Sequence, residues 1–293
     1  MTDKRLTNAR PIVSVSGGKD STAMCLHLME MGYTRDDYDR VFMDTGWEHR
    51  TTYHYLDDLE DTVGPIKRIR ADIKVRPEHR DLVSHFEARL GIHPSPMIRY
   101  IILHSMFPSG AAKWCTRELK IKPITDYFAC LDYEYINVVG IRAEESPRRA
   151  AMTEWEWNDS WDCWVWRPLI DWTEKDVIAI HQRWNLVPNR LYLNGHDRVG
   201  CYPCVYVKKS VVRNLDDDRV DLIRELESRV TEMARLKRPD ISNRNFFPRL
   251  DGIDEVVQWS RTAYGGKQFE MFAKEEPTCV KWGMCEFKGG DDD

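Results

Sequence analysis

A chain of 293 residues with 42% apolar and 11% aromatic residues is long enough to bury a sizeable core as one large domain, with or without a smaller appendage. A net charge of −5 argues against nucleic-acid binding through bulk charge and leaves room only for a local basic patch. No run approaches the ~20 apolar residues that span a bilayer, and the polar opening MTDKRLTNAR does not read as a signal peptide, so the expectation is a cytoplasmic chain whose eight cysteines are thiols or metal ligands rather than disulfides.

Pro11 to Val15 reads as a short buried strand. From Thr22 the apolar residues Met24, Cys25, Leu28 and Met31 share one helical face, and Gly32 is placed to end that helix. Val41 to Met43 is a second strand, closing at Asp44-Thr45-Gly46, and Ile66 to Arg70 alternates like a third. Asp81–Leu90, Tyr100–Phe107 and Ile121–Leu131 read as helices, Tyr135–Ile141 as a strand, and Val165–Pro168 as another. Thr173, with Asp176 in capping-box position, opens a helix running to about Trp184. The segment WEWNDSWDCWVW at 155–166 holds five of the eleven tryptophans and reads as a half-buried hairpin, with base stacking as the alternative. A charged amphipathic helix covers Asp216 to Leu236. Strands alternating with helices predict an α/β fold with a parallel twisted sheet covered on both faces. Residues 1–200 are expected to form the main α/β domain and 201–293 a smaller cysteine-bearing, helical part packed on it.

The stretch VSVSGGKDSTAM at 13–24 passes from an apolar run through glycines into a helix. Free N–H groups and the helix dipole make such a junction suitable for anions. It is not a Walker A loop, which needs a glycine where Val13 stands, nor a dinucleotide fingerprint. SGGKDS, DTG and GIRAEES all follow strands, so one crevice at the strands' carboxyl ends can hold all three.

Strand–SGGKDS–helix resembles the PP-loop of the ATP pyrophosphatases. VFMDTGWEH, KWCTRELKIKP, VVGIRAEESPRR, PLIDWTEKDV and NRLYLNGHDRVGCYPC, in that order over residues 12–208, resemble the phosphoadenosine phosphosulfate (PAPS) reductase family within that superfamily. The resemblance implies a Rossmann-like fold of the adenine nucleotide alpha hydrolase type, ATP as ligand and Mg²⁺ as its companion. By the same resemblance Ser16, Gly17, Gly18 and Ser21 would donate to phosphate, Lys19 would neutralise it, and Asp20 would hold Mg²⁺ or fix the loop. Asp44, Thr45 and Gly46 would border the adenosine. Gly140 and Arg142 would lie beside the phosphates, with Glu145, Arg148 and Arg149 at the crevice mouth. Arginines after a strand end also suit a bidentate phosphate clamp on physical grounds.

Two departures from the family separate this chain from its sulfonucleotide reductases. It keeps the full SGGKDS of ATP-cleaving members, and it lacks a Glu-Cys-Gly-Leu-His motif, the nearest stretch being Cys279 to Cys285. Both point to ATP-dependent activation for sulfur transfer, in character closest to the ATP pyrophosphatases of DNA phosphorothioation systems. A cysteine desulfurase as sulfur donor and DNA or tRNA as acceptor are the partners that this implies. A sulfonucleotide reductase and a non-catalytic ATP-sensing subunit are the rival readings.

Cys201-Tyr202-Pro203-Cys204 has the spacing of a metal-ligand pair. Cluster-bearing adenylylsulfate reductases join a similar segment to an upstream cysteine pair, where this chain has only Cys115 after Trp114. Cys115, Cys201 and Cys204 with Cys285, or alternatively Cys279, are the expected ligands of a [4Fe–4S] cluster; structural zinc and free redox thiols are the alternatives. Cys25 and Cys130 read as core, His181 as a satisfied core residue, and Lys208, Lys209 and Arg213 as either a phosphate-facing stretch or a solvated face.

Overall fold

The computed structural model describes residues 4–6, 8–248, 250–262 and 282. Six strands form one sheet: β1 (Arg10–Val15), β2 (Asp39–Met43), β3 (Lys67–Ile69), β4 (Tyr135–Val138), β5 (Trp155–Asn158) and β6 (Cys163–Trp166), in the order β3-β2-β1-β4-β6-β5. Every pairing is parallel except β5 with β6, a hairpin in which Trp155 stands opposite Trp166 and Trp157 opposite Trp164. The tryptophan-rich segment is thus the expected hairpin, and it gives the sheet one antiparallel edge that helix–strand alternation did not announce.

The strands are short apolar runs because the sheet is covered on both faces. On one face Val13, Val15 and Val138 pack against α1 (Lys19–Glu30), α2 (Arg50–Val63) and a later helix through Met24, Leu28, Leu56, Leu59 and Ile180. On the other, Ile12 and Val41 meet Ile124 and Phe128. Helices α3 (Arg80–Leu90) and α4 (Pro96–His104) follow β3, and α4 starts at a Ser95 cap with Pro96 in its first turn, earlier than apolar periodicity alone indicated. A helical run Trp114–Thr116 passes through a π-helical turn, Arg117–Ile121, into α5 (Lys122–Phe128). α6 (Glu174–Arg183) carries the anticipated capping box, Thr173 with Asp176.

A second core joins Trp47, Phe86, Ile98 and Ile101 to Leu226, Val230, Phe246 and Val256, and so to α7 (Asp217–Lys237) and α8 (Ile253–Ser260). Tyr202 belongs to it, so residues on both sides of position 200 share one interior. Among the described residues no helix is long and apolar enough to cross a membrane.

The chain runs from β1 out to β3 on one side and then from β4 to β6 on the other. That reversal between β1 and β4 creates a crevice beyond the carboxyl ends of the strands, where open α/β sheets take their ligands. The SGGKDS turn leaves β1, the DTG turn leaves β2, and Gly140 and Arg142 follow β4.

Candidate active site

The turn Ser16-Gly17-Gly18 delivers the chain from β1 to the first turn of α1. Gly17 has φ +71°, and a Cβ there would lie 2.8 Å from Thr52 Cγ2, so both backbone conformation and space require glycine. Gly18 is the N-cap and has no side chain to satisfy the helix's free N–H groups. The Lys19 N–H instead donates to the Tyr192 hydroxyl at 3.2 Å, and Asn189 Nδ2 donates to the Gly17 carbonyl at 3.2 Å. Ser21 Oγ ties the turn from inside: it accepts from Ser16 N at 3.1 Å and donates to the Gly18 carbonyl at 3.0 Å. The turn is a rigid, N–H-rich platform held by side chains from distant segments.

Two buried cations meet there. Lys19 Nζ lies 3.5 Å from Glu174 and 4.0 Å from Asp20, and 4.8 Å from the Tyr192 ring centroid. Arg142, 4% exposed, donates through Nε to Asp20 Oδ1 and through Nη1 to Glu144 Oε2, both at 2.6 Å. Gly140 lets this happen: a Cβ there would stand 2.8 Å from the Asp20 carbonyl oxygen, so the end of β4 reaches the start of α1 only with glycine. Glu145 closes the loop by accepting from the Arg142 backbone N–H at 3.1 Å and by pairing with Arg149; Arg148 is exposed. Lys19, Glu174, Tyr192, His196, Lys208 and Trp282 line a cavity of 240 Å³ beside this platform.

The DTG turn leads to the cysteines. Asp44 is fully buried and accepts from the Gly46 N–H at 2.9 Å, the Tyr53 hydroxyl at 2.7 Å and Arg70 Nε at 2.6 Å. Thr45 Oγ1 donates to Glu48 Oε1 at 2.7 Å, and the Cys201 thiol lies 3.9 Å from the same oxygen. A backbone bridge pairs Glu48 with Cys201, and Tyr202 N donates to the Trp47 carbonyl at 2.9 Å. Burial pushes Glu48 above the usual carboxylate range and Cys201 up to about 11, the latter opposed by the Lys120 charge. Burial also raises Cys115, with Cys204 adding to the effect. Lys120 is held protonated above its ordinary value, first by Cys201 and then, against its own burial, by Glu48, Cys115 and Cys204. The fold therefore brings Cys115, Cys201 and Cys204 into one electrostatic neighbourhood around a lysine. Among the described residues, no three His, Cys, Asp or Glu side chains are placed as a ready-made metal site. Cys279 and Cys285 lie outside the described residues. The donor type suits a thiolate-bound group, and the described chain supplies three of the four thiols expected for it.

Several individual expectations change. Cys130 is exposed rather than core, whereas Cys25 is fully buried. His181 is buried and bonds Val177 O through Nδ1 at 2.8 Å, but its Nε2 has no partner. Lys209 and Arg213 donate to carbonyls of Thr262 and Ser260 at the end of α8, so that basic stretch anchors a helix terminus, and Lys208 pairs with Asp197. Glu48, Tyr53, Lys120, Glu174, Asn189 and Tyr192 were not anticipated, although each lies in or beside a quoted motif; an aromatic or amide whose partner is over a hundred residues away leaves no local pattern.

A glycine-rich turn at the switch point of a mostly parallel sheet, with two buried cations converging on a helix N-terminus, defines a Rossmann-like α/β domain of the nucleotide-binding class. The family model described as phosphoadenosine phosphosulfate reductase domain matches residues 10–206, and this chain belongs to that family. The five collinear motifs thus marked the right family. The chain is 32% identical to an uncharacterised 37.8 kDa protein of Escherichia phage 186, covering 94% of this chain and 96% of the phage protein. It is 28% identical to an adenosine 5′-phosphosulfate reductase of Burkholderia cepacia, covering 49% of this chain and spanning 54% of that reductase. Among solved structures, PAPS reductase from Candida auris, in a phosphate complex, superposes with a TM-score of 0.48 at 16% identity, covering 68% of this chain and 84% of that one.

Proposed function

We propose that this chain is an ATP pyrophosphatase that cleaves ATP between the α- and β-phosphates and adenylates a substrate for sulfur transfer, as in nucleic-acid thiolation or phosphorothioation. One observation carries the reading: Lys19 and Arg142, both buried, converge on Asp20 at an N-terminus whose cap has no side chain of its own. Phosphate oxygens would take the remaining α1 N–H groups and the Ser16 hydroxyl, with Ser21 holding the turn from inside. Lys19 and Arg142 would balance the charge that gathers on the departing pyrophosphate, so catalysis is positioning and electrostatic stabilisation rather than acid–base work. Asp20 would hold Mg²⁺ together with the phosphates, since that ion is commonly bound by one or two carboxylates and substrate oxygens. When bound, Mg²⁺ supplies further charge neutralisation at the phosphates. Asp44, Thr45 and Gly46 would border the adenosine, and Arg148 and Arg149 the crevice mouth.

Cys115, Cys201 and Cys204, with Cys285 or Cys279, would hold a [4Fe–4S] cluster or zinc, with Lys120 balancing the thiolate charge. A cluster supplies redox and sulfur chemistry, zinc a structural clamp. A cysteine desulfurase is the proposed donor and DNA or tRNA the proposed acceptor.

The test is pyrophosphate release from ATP with and without a thiol donor and oligonucleotide acceptor. Lys19→Ala is expected to lower release at least 100-fold; unchanged release overturns the proposal. ATP binding without turnover in the presence of donor and acceptor would favour a nucleotide-sensing subunit. The similarity to adenosine 5′-phosphosulfate reductases sustains the reductase alternative, which predicts sulfite release from a sulfonucleotide with thioredoxin. Anaerobic iron, sulfide and zinc analysis of the wild type and of Cys201→Ser separates cluster, zinc and free thiols.

A further inference from the structure

A pocket of 220 Å³, sharing no lining residue with the cavity at the α1 turn, lies where the N-termini of α2 and α7 converge. His49 caps α2 and Asp216 caps α7; Arg50, Arg89, Asp218 and Arg219 complete the polar lining. We propose that this pocket is a second anion site that takes a phosphate group.

The central residue is Arg219, 8% exposed, in the first turn of α7. Its guanidinium carbon lies 4.9 Å from the Trp47 ring centroid and 5.3 Å from that of Tyr202, and its Nη1 has no hydrogen-bond partner. A buried guanidinium with an unused donor is costly unless something accepts from it. The Asp216 carboxylate stabilises the charge through space, but its Oδ1 accepts the Arg219 backbone N–H at 2.6 Å. Asp218 is exposed and opposes an anion, and Arg89 is engaged by Glu225 at 2.6 Å. Arg50 stands at the rim, its Nη2 packed where a side chain on Gly91 would otherwise lie. His49 contributes no charge, because burial and Arg219 push it down to about 4. With Arg89 tied to Glu225, Arg50 and Arg219 face Asp216 and Asp218, so the side chains balance and the positive ends of two helices of 14 and 21 residues incline the pocket toward an anion. Its volume exceeds that of a halide and suits phosphate attached to a larger group, which the guanidinium of Arg219 in the lining would contact. The lining shares no residue with the cavity beside the α1 platform, so the site does not rest on the ATP reading.

The phosphate can be free or part of a nucleic-acid backbone, and two arms separate these sources. In the Lys19→Ala chain, calorimetry with inorganic phosphate should still show one site, and Arg50→Ala or Arg219→Gln added to it should each weaken binding at least 10-fold. A short single-stranded oligonucleotide, followed by fluorescence anisotropy, should lose affinity with the same substitutions if the backbone is the source and be unaffected if the phosphate is free. Arg50 is exposed, so Arg50→Ala tests the site even if Arg219→Gln fails to fold. Absence of phosphate binding in Lys19→Ala, or binding there that Arg50→Ala leaves unchanged, overturns the proposal: the pocket then holds only water.

Discussion

Replacing Arg142 with methionine tests the joint between α1 and β4 without reference to any ligand. The guanidinium is 4% exposed and makes two contacts of unequal worth. The hydrogen bond to Asp20 at 2.6 Å is charge-assisted and largely shielded, which places it at about 1.5–3 kcal/mol. The contact to Glu144 ends on a side chain 54% exposed, where solvent screening leaves ~0–1 kcal/mol. Methionine keeps most of the apolar stem, so the sum is a loss of roughly 1.5–4 kcal/mol. Urea unfolding followed by circular dichroism should show the midpoint falling with an unchanged m-value. Asp20→Asn should remove the same bond from the other side, and the double variant should be less destabilised than the sum of the singles by about 1.5–3 kcal/mol. An Arg142→Met loss under about 0.5 kcal/mol, or strict additivity, would refute the reasoning.

Gly140→Ala forces a Cβ to 2.8 Å from the Asp20 carbonyl; the backbone must shift, at about 1–3 kcal/mol, and ATP affinity measured by calorimetry should fall about 10-fold as the α1 turn moves. Glu174→Gln removes the carboxylate 3.5 Å from Lys19 with which a phosphate must compete, and ATP should bind roughly 2- to 5-fold more tightly, in line with the ~0.5–1 kcal/mol of a partly exposed pair. His181, fully buried, has its pKa lowered to about 4 from an ordinary 6.5, first by burial. The unfolded chain therefore binds a proton that the folded chain refuses between those values, and stability should fall as pH drops from 6.5 to 4, by up to about 3 kcal/mol. His181→Phe should flatten that part of the stability–pH curve in chemical denaturation.

Most of the sheet was legible because its strands are apolar runs closed by turn residues, and because the motifs that follow them fall at the carboxyl ends of β1, β2 and β4. Helix α2 was not foreseen: its first turn holds Thr51 and Thr52, poor helix formers, and its buried residues Tyr55, Leu56, Leu59 and Val63 sit among aspartates that mask the periodicity. The site divides in the same way. Gly17, Lys19, Asp20 and Arg142 are joined by local geometry or adjacent strand ends and could be read in order. Tyr192 on the Lys19 N–H and Glu48 opposite Cys201 are products of the tertiary fold alone, and nothing in their sequence neighbours marks them.

The antiparallel hairpin has a consequence for the chain's behaviour in concentrated solution. A parallel sheet ends in open rows of N–H and C=O groups that invite pairing with another molecule. On one side the sheet stops at β3, three residues long with Lys67 and Arg68 exposed, too short and too charged to template a partner. On the other, β5 caps β6 with stacked indoles, Trp155 on Trp166 at 5.1 Å, and Arg5 lies over Trp155 at 4.0 Å. Shortening the chain through residues 155–158 would uncover β6, with Trp164 and Val165 along it, as a bare apolar edge. A truncated form of this protein should therefore be lost to aggregation before it is lost to unfolding.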